Sequence, residues 1–146
     1  MELKEQKAIN TIINYAALRK IKVFLDVDVQ ENPKNGNYYP QIQIDYKHSK
    51  LNDLAFFFGA SNNELINLSA IFFVDEDHLS EMYNMKQEFK HWNQKAFQYF
   101  IVADDNEFHL YSELKPEEIT KEYLDEVISF FNSDYIKRIR EIEELD

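Results

Sequence analysis

The sequence predicts an α+β fold in which residues 1–146 form a single domain with an antiparallel sheet of five to six strands and three helices. Strand-like alternation of apolar and polar residues occurs in neighbouring segments joined by turn residues, as expected for hairpins. Helical periodicity lies only between and around these hairpins, so the regular strand–helix alternation of a parallel sheet is missing. The predicted order of elements is α-β-β-β-(β)-α-β-β-α.

The first helix is predicted over Leu3–Lys20, because its apolar residues recur at the spacing of one helical face. A strand is predicted next, from Val23 to Gln30, where successive side chains point to opposite faces of the strand. One face of this strand is predicted to be buried and carries Val23, Leu25, Val27 and Val29. The opposite face carries Phe24, Asp26, Asp28 and Gln30.

Pro33 and the pair Asn35-Gly36 predict a loop that turns the chain back into a second strand. This strand runs from Tyr38 or Tyr39 to Tyr46 and forms an antiparallel hairpin with the first. Leu54–Phe58 is a short apolar run and is predicted to be a third strand.

Leu65–Val74 is predicted to be a further strand, which ends at three acidic residues. Asp77, the last of them, is placed to cap the next helix by accepting from its free backbone N–H groups. That helix is predicted from about His78 to Lys95 and contains the pair Trp92-Asn93 near its end.

The tail of the chain predicts a second hairpin and a closing helix. Phe97–Val102 and Glu107–Ser112 alternate as strands, and the turn Asp104-Asp105-Asn106 joins them. Thr120 is the predicted cap of the last helix, which continues towards Leu145. Asn132-Ser133-Asp134 is a point at which this helix is expected to kink or restart.

Composition excludes several classes of function. The chain has no Cys, which excludes thiolate catalysis, disulfides and Cys-ligated zinc, and only two Gly, which excludes a glycine-rich phosphate loop. The charged N-terminus has no apolar run of signal-peptide length, and no window is long enough to span a membrane. We therefore expect a cytoplasmic protein, and the abundance of Asn, Lys and Ile is typical of a bacterial or phage genome.

The charge balance points to the class of partner. A net charge of −11 predicts a surface that repels nucleic acid and anionic lipid, so neither is expected to bind. The same charge favours a basic protein partner, although solubility alone is a simpler interpretation.

Two aspartates on the first strand are the strongest candidates for chemistry. Asp26 and Asp28 share one face, and Asp45 would join them if the first hairpin pairs in a suitable register. Grouped carboxylates can perform acid–base catalysis or bind a divalent cation. No nucleophile, shaped loop or His accompanies them, so a solvated sheet face is the favoured interpretation. The four His also fall in no metal-ligand spacing, and we predict no catalytic residue, no metal, no cofactor and no enzymatic activity.

The middle of the chain is rich in aromatic residues. The consecutive residues Phe56, Phe57 and Phe58 cannot all face one core from a half-exposed strand. Burial under helices on both sides would accommodate them, and so would a dimer or partner surface. The candidate partner surface consists of Phe24, Asp26, Asp28, Asp45 and Phe57. Trp92, with Asn93, is predicted to be a structural anchor between the second helix and the last hairpin.

Four segments of the tail carry a resemblance to a known family: Trp92-Asn93, Phe100–Asp105, Glu107–Leu114 and Ile119–Leu124. In these segments the chain resembles the YbjN family, whose fold is similar to that of type III secretion chaperones. The resemblance implies a helix–sheet–helix domain that forms a homodimer, binds proteins and has no catalytic centre.

The sequence thus favours a non-catalytic protein-binding module that acts through protein–protein contact, either secretion-chaperone-like or regulatory. The alternative is a bacterial immunity protein or antitoxin, which would neutralise a basic toxin by covering its basic site with carboxylates. A hydrolase or metal enzyme that uses Asp26, Asp28 and Asp45 is the third and least favoured interpretation.

Overall fold

A computed structural model of the protein describes residues 3–19, 22–28, 39–45, 54–58 and 65–145. The helices are α1 (Leu3–Leu18), α2 (Leu79–Phe89), α3 (Lys121–Phe131) and α4 (Asp134–Glu143). The strands are β1 (Lys22–Asp28), β2 (Tyr39–Asp45), β3 (Leu54–Phe58), β4 (Ile66–Phe73), β5 (Tyr99–Asp104) and β6 (Glu107–Leu114). Short 3₁₀ helices at Glu76–His78 and Pro116–Glu118 lead into α2 and α3.

The described strands form one antiparallel sheet in the order β1-β2-β3-β4-β6-β5. The hydrophobic core is built on the three strands β4, β6 and β5, whose alternate side chains face the helices. Phe72, Phe108 and Leu110 are fully buried there, among residues of all four helices such as Ile12 and Val127. The helices therefore form one layer against one side of the sheet, which is an α+β arrangement of two layers.

The predicted arrangement of five to six strands with three helices is wrong in its number of helices. The described chain has four α-helices, and its core is built on the three antiparallel strands β4, β6 and β5. The last predicted helix is two helices, because the Ser133 hydroxyl caps α4 by accepting from the backbone N–H of Ile136. The Asn132 side chain meanwhile donates to the Ile128 carbonyl at the end of α3, at 3.0 Å.

Two predicted helix ends also differ from the structure. Asp77 does not cap α2, because it lies inside the short 3₁₀ helix, and neither helix start there has a side-chain cap. The second helix ends at Phe89 and does not reach Lys95. Beyond it, the Gln94 side-chain oxygen accepts from the backbone N–H groups of Ala96 and Phe97, both at 2.8 Å, and holds the chain in a non-helical turn.

The predicted cap of α3 is confirmed. The Thr120 hydroxyl accepts from the backbone N–H of Tyr123 at 3.1 Å, which satisfies one of the free donors at the helix start. This cap sets where α3 begins, so that Leu124 and Val127 enter the core.

Candidate functional site

The side of the sheet opposite the helix layer is the candidate functional surface, and we call it the open face. Its central row consists of Ile71 on β4, His109 on β6 and Ile101 on β5, which are direct partners in the sheet register. The neighbouring rows pair Phe73 with Glu107, and Tyr111 with Tyr99. These side chains share one face because successive residues of a strand point to opposite sides of the sheet.

Large apolar side chains of the open face are exposed. Phe73 is 56% exposed, Tyr99 52% and Ile101 40%, whereas Phe72 and Phe100, which neighbour them on the helix side, are buried. Ile71 lies between them and is half-buried. The result is an apolar patch that crosses three adjacent strands, which distinguishes it from apolar residues scattered singly over a surface.

Polar contacts order the aromatic rows of this face. The rings of Tyr99 and Tyr111 are stacked with their centroids 6.0 Å apart, and the Tyr111 hydroxyl donates to the Glu113 carboxylate. Partial burial, followed by this hydrogen bond, raises the pKa of Tyr111 to about 12. His109 Nε2 lies 3.3 Å from a Glu107 carboxylate oxygen, without the alignment of a hydrogen bond.

The sheet register shows which strand positions pair with the residues of the predicted partner surface. Asp26 is the partner of Gln41, which is in turn the partner of Phe57, and the row continues through Asn67 to Glu113. Phe24 belongs to the row that ends at Tyr111 and Tyr99, two residues along the strands. Asp28 is the partner of Tyr39 on β2. That these residues form one partner surface stays a prediction.

The register does not bring Asp26, Asp28 and Asp45 together. Asp45 is the partner of Lys22, which lies four residues before Asp26 on β1. At about 3.3 Å per residue, this separates Asp45 from Asp26 by roughly 13 Å along the sheet. The grouped carboxylates on which the enzyme interpretation depended are therefore not formed by this pairing.

Trp92 and Asn93 lie beyond the end of α2. The Trp92 ring packs on the ring of Tyr135 in α4, with the centroids 5.2 Å apart, and remains 37% exposed. Asn93 is exposed. Trp92 thus contacts the last helix, and its role as a structural anchor stays a prediction.

Sequence reasoning missed an aromatic groove next to β5. Phe89, Trp92, Phe97 and Phe100 line it, together with the exposed edge of β5, and its volume is about 520 Å³. The residues come from the end of α2, the following loop and β5, and periodicity along the chain cannot show that these segments meet. Tyr99 and Ile101 alternate with Phe100 and Val102, but all four residues are apolar, so the sequence does not show which pair is exposed.

Among the residues that the structure describes, no group of three or more His, Asp or Glu side chains could hold a metal ion. No helix of residues 3–19 or 65–145 is long and apolar enough to cross a membrane.

Comparison of the chain with protein-family models, with curated proteins and with solved structures finds no significant match. The resemblance of the tail to the YbjN family therefore stays a prediction.

Proposed function

We propose that this chain is a non-catalytic protein-binding module, regulatory or secretion-chaperone-like, which acts through protein–protein contact at its open face. The observation that carries the proposal is the exposure of Phe73, Tyr99 and Ile101 on one side of a sheet whose other side is covered by helices. Contiguous exposed apolar patches typically mark surfaces that bind a partner. The YbjN-like family and a cytoplasmic location belong to the same proposal.

The composition of the patch suits protein recognition. Aromatic residues are enriched in the centres of protein interfaces because each buries a large area at a low cost in side-chain entropy. Phe73 and Tyr99 lie on two different strands, and the half-buried residues Ile71 and His109 lie between them. A partner seated over this row would cover apolar surface at the centre and leave polar groups at the rim.

The charge of the open face favours a basic partner. In β6 the face carries two acidic residues, Glu107 and Glu113. No Lys or Arg lies at the paired positions of this face in β4, β5 and β6. With the net charge of −11, this arrangement would accelerate association with a basic surface and disfavour an acidic one.

The same acidic positions favour a second candidate function. An immunity protein or antitoxin would use the open face to cover the basic site of a toxin. A gene for a toxin next to the gene for this chain, and tight binding of that toxin, would favour this candidate over a chaperone or regulator. A neighbouring secretion gene would favour the chaperone.

The proposal is tested by partner recovery with matched variants. The chain is tagged and used to capture proteins from its native host, and the captured proteins are quantified by mass spectrometry. The double variant Ile71→Ala with Phe73→Ala removes apolar surface from the open face, whereas Leu18→Ala truncates an exposed side chain at the end of α1. We expect the double variant to lose the partner and Leu18→Ala to retain it.

Two results would contradict the proposal. One is recovery of the same partner in the same amount by the double variant. The other is loss of the partner by Leu18→Ala to the same extent. Light scattering of the purified chain tests separately whether a second copy of the chain is the partner, as the resemblance implies.

A further inference from the structure

β5 is the last strand of the sheet in the described chain, and it pairs there with β6 alone. The outer edge of such a strand presents N–H and C=O groups that can pair with another extended chain. Proteins usually protect these edges with charged residues, Pro, bulges or a covering element.

The edge of β5 carries little of this protection. Tyr99–Ala103 contains no charged residue, no Pro and no Gly, and its residues are mostly aromatic or β-branched. The irregularity in its pairing with β6 lies at the far end, between Val102 and Asp104. Tyr99 and Ile101 are exposed along the strand.

The aromatic groove lies directly beside this edge. Its volume of about 520 Å³ falls within the usual range of ligand pockets in proteins, roughly 300–1,000 Å³. Its walls are the rings of Phe89, Trp92 and Phe100, while Lys90 and Gln94 contribute polar groups. A strand added to the edge of β5 would therefore find a pocket for one of its side chains.

Internal contacts hold the groove open in the free protein. Phe89 and Phe100 meet edge-to-face with their centroids 5.8 Å apart, and Trp92 rests on the buried Tyr135. The Gln94 amide donates to the Phe97 carbonyl at 2.7 Å in addition to accepting from the Phe97 N–H, which fixes the loop that forms one wall. Binding would thus require little ordering of the site.

We propose that the edge of β5 and the aromatic groove bind an extended peptide segment of a partner protein, which pairs with β5 as an added strand and inserts an aromatic or aliphatic side chain into the groove. This inference rests on the proposed protein-binding function and adds a second contact to the open face. Main-chain hydrogen bonds would supply affinity, and the groove would supply specificity.

A second copy of this chain suits the site less well. The helix-side residue Phe100 of β5 is already buried against Phe89 and Phe108 of its own chain, so a second β5 brings no free side chain for the groove. Two copies would also each carry a net charge of −11. A peptide segment has neither disadvantage, because its alternate side chains are unburied before it binds.

The charges at the two ends of β5 define the peptide further. Asp104 and Asp105 are exposed at the C-terminal end of the strand, while Lys90 lines the groove near the N-terminal end. An antiparallel strand, which continues the pattern of the sheet, would start beside the two aspartates and end beside Lys90. The segment should therefore carry Lys or Arg at its start, alternating apolar residues in the middle, and a carboxylate at its end.

The test is selection from a displayed library of random peptides of roughly ten residues, the length of a long strand. The purified full chain is the target, and Ile101→Lys, which places a charge on the exposed edge, is the counter-target. We expect enrichment of peptides with the predicted pattern, and weaker binding to Ile101→Lys by about tenfold, or about 1.4 kcal/mol. Trp92, the single Trp of the chain, should change its fluorescence when a side chain enters the groove.

Controls separate strand pairing from non-specific adhesion. A selected peptide with N-methyl groups at alternate backbone amides cannot pair as a strand and should lose binding. Leu18→Ala, which truncates an exposed side chain at the end of α1, should retain it. The inference is overturned if no peptide is enriched, if N-methylation leaves the affinity unchanged, or if Trp92 fluorescence does not respond.

Failure here is distinguishable from failure of the proposed function. If no peptide binds β5 but the double variant Ile71→Ala with Phe73→Ala still loses the cellular partner, the open face alone is the binding surface. If peptides bind but the double variant keeps its partner, the edge of β5 is the binding surface and the open face is not.

Discussion

The two faces of the sheet are built from the same strands but have opposite environments. Phe72 and Phe73 are adjacent in β4, yet Phe72 is fully buried under the helices and Phe73 is 56% exposed on the open face. Their side chains are identical, so the difference comes only from the side of the sheet to which each points. Hydrophobicity by itself therefore does not identify the core of this protein.

The polar groups of the two faces differ in the same way. On the helix side, the buried Ser112 hydroxyl donates to the Ala96 carbonyl at 3.2 Å and accepts from the Gln98 N–H at 2.9 Å. On the open face, Glu107 and Glu113 contact His109 and Tyr111 at the border with solvent. Ser112 is satisfied inside the protein, as buried polar groups require, whereas Glu107 is half-buried and Glu113 is exposed.

The largest expected difference between the faces is in stability, and it is measured by the matched substitutions Phe72→Ala and Phe73→Ala. Phe72→Ala should lower the free energy of unfolding by about 3–5 kcal/mol, because it leaves a cavity in the core. Phe73→Ala should change it by less than about 1 kcal/mol, because its ring is already in water. Urea denaturation of both variants measures these values, and equal losses would show that the open face is covered in solution.

A smaller difference in unfolding free energy is expected when a Tyr hydroxyl is removed from each face. The buried Tyr135 hydroxyl donates to the Met85 carbonyl and ties α4 to α2, whereas Tyr99 is exposed on the open face. Tyr135→Phe should cost about 1–2 kcal/mol of unfolding free energy through the lost hydrogen bond, and Tyr99→Phe close to none. Thermal denaturation of the two variants checks this, and a greater loss from Tyr99→Phe would contradict it.

Removal of a helix cap should lower the unfolding free energy somewhat less than removal of the Tyr135 hydroxyl. Thr120→Ala and Ser133→Ala each remove a side chain that accepts from a free backbone N–H, at the starts of α3 and α4. Each should cost about 1 kcal/mol. Ser129→Ala, at an exposed position within α3, is the matched control and should have little effect on chemical denaturation. If Ser129→Ala lowers the unfolding free energy as much as the cap variants do, the loss does not come from the missing cap.

The smallest expected effect is a dependence of the unfolding free energy on pH, which is absent near neutral pH. Burial raises the pKa of Tyr123 and Tyr135 above the ordinary value, and that of Tyr111 to about 12. The folded chain therefore binds more protons than the unfolded chain above pH 10, so its unfolding free energy should fall as the pH rises above 10. Phenolate absorbance should show Tyr111, Tyr123 and Tyr135 titrating late, and Tyr123→Phe should reduce the pH dependence of stability.

Local signals in the sequence predicted many elements. Alternation predicted the hairpin of β5 and β6, and Thr120 was recognised as a cap because its hydroxyl acts within one turn of its own helix. The same reasoning failed for Asp77, because a 3₁₀ helix precedes α2, and for the end of α2, because Gln94 forms side-chain bonds that periodicity does not reveal.

The candidate site was predictable only in part. The sequence predicts that Phe24, Asp26, Asp28, Asp45 and Phe57 form one partner surface, and this stays a prediction; the register pairs Asp45 with Lys22 and not with Asp26 or Asp28. Phe73, Tyr99 and Ile101 were not part of the predicted surface, because alternation along β4 and β5 does not show which side the helices cover. The prediction that these residues bind a partner awaits the experiments above.

By itself, the sequence determined which residues share a face, since alternation along a strand is a local property of the backbone. It also determined the acidic charge and the absence of Cys chemistry. Only the tertiary structure decided which face the helices cover, and that β5 lies at the edge of the sheet beside an aromatic groove. Both outcomes depend on contacts between distant segments, because a strand with apolar residues on both sides can bury either one.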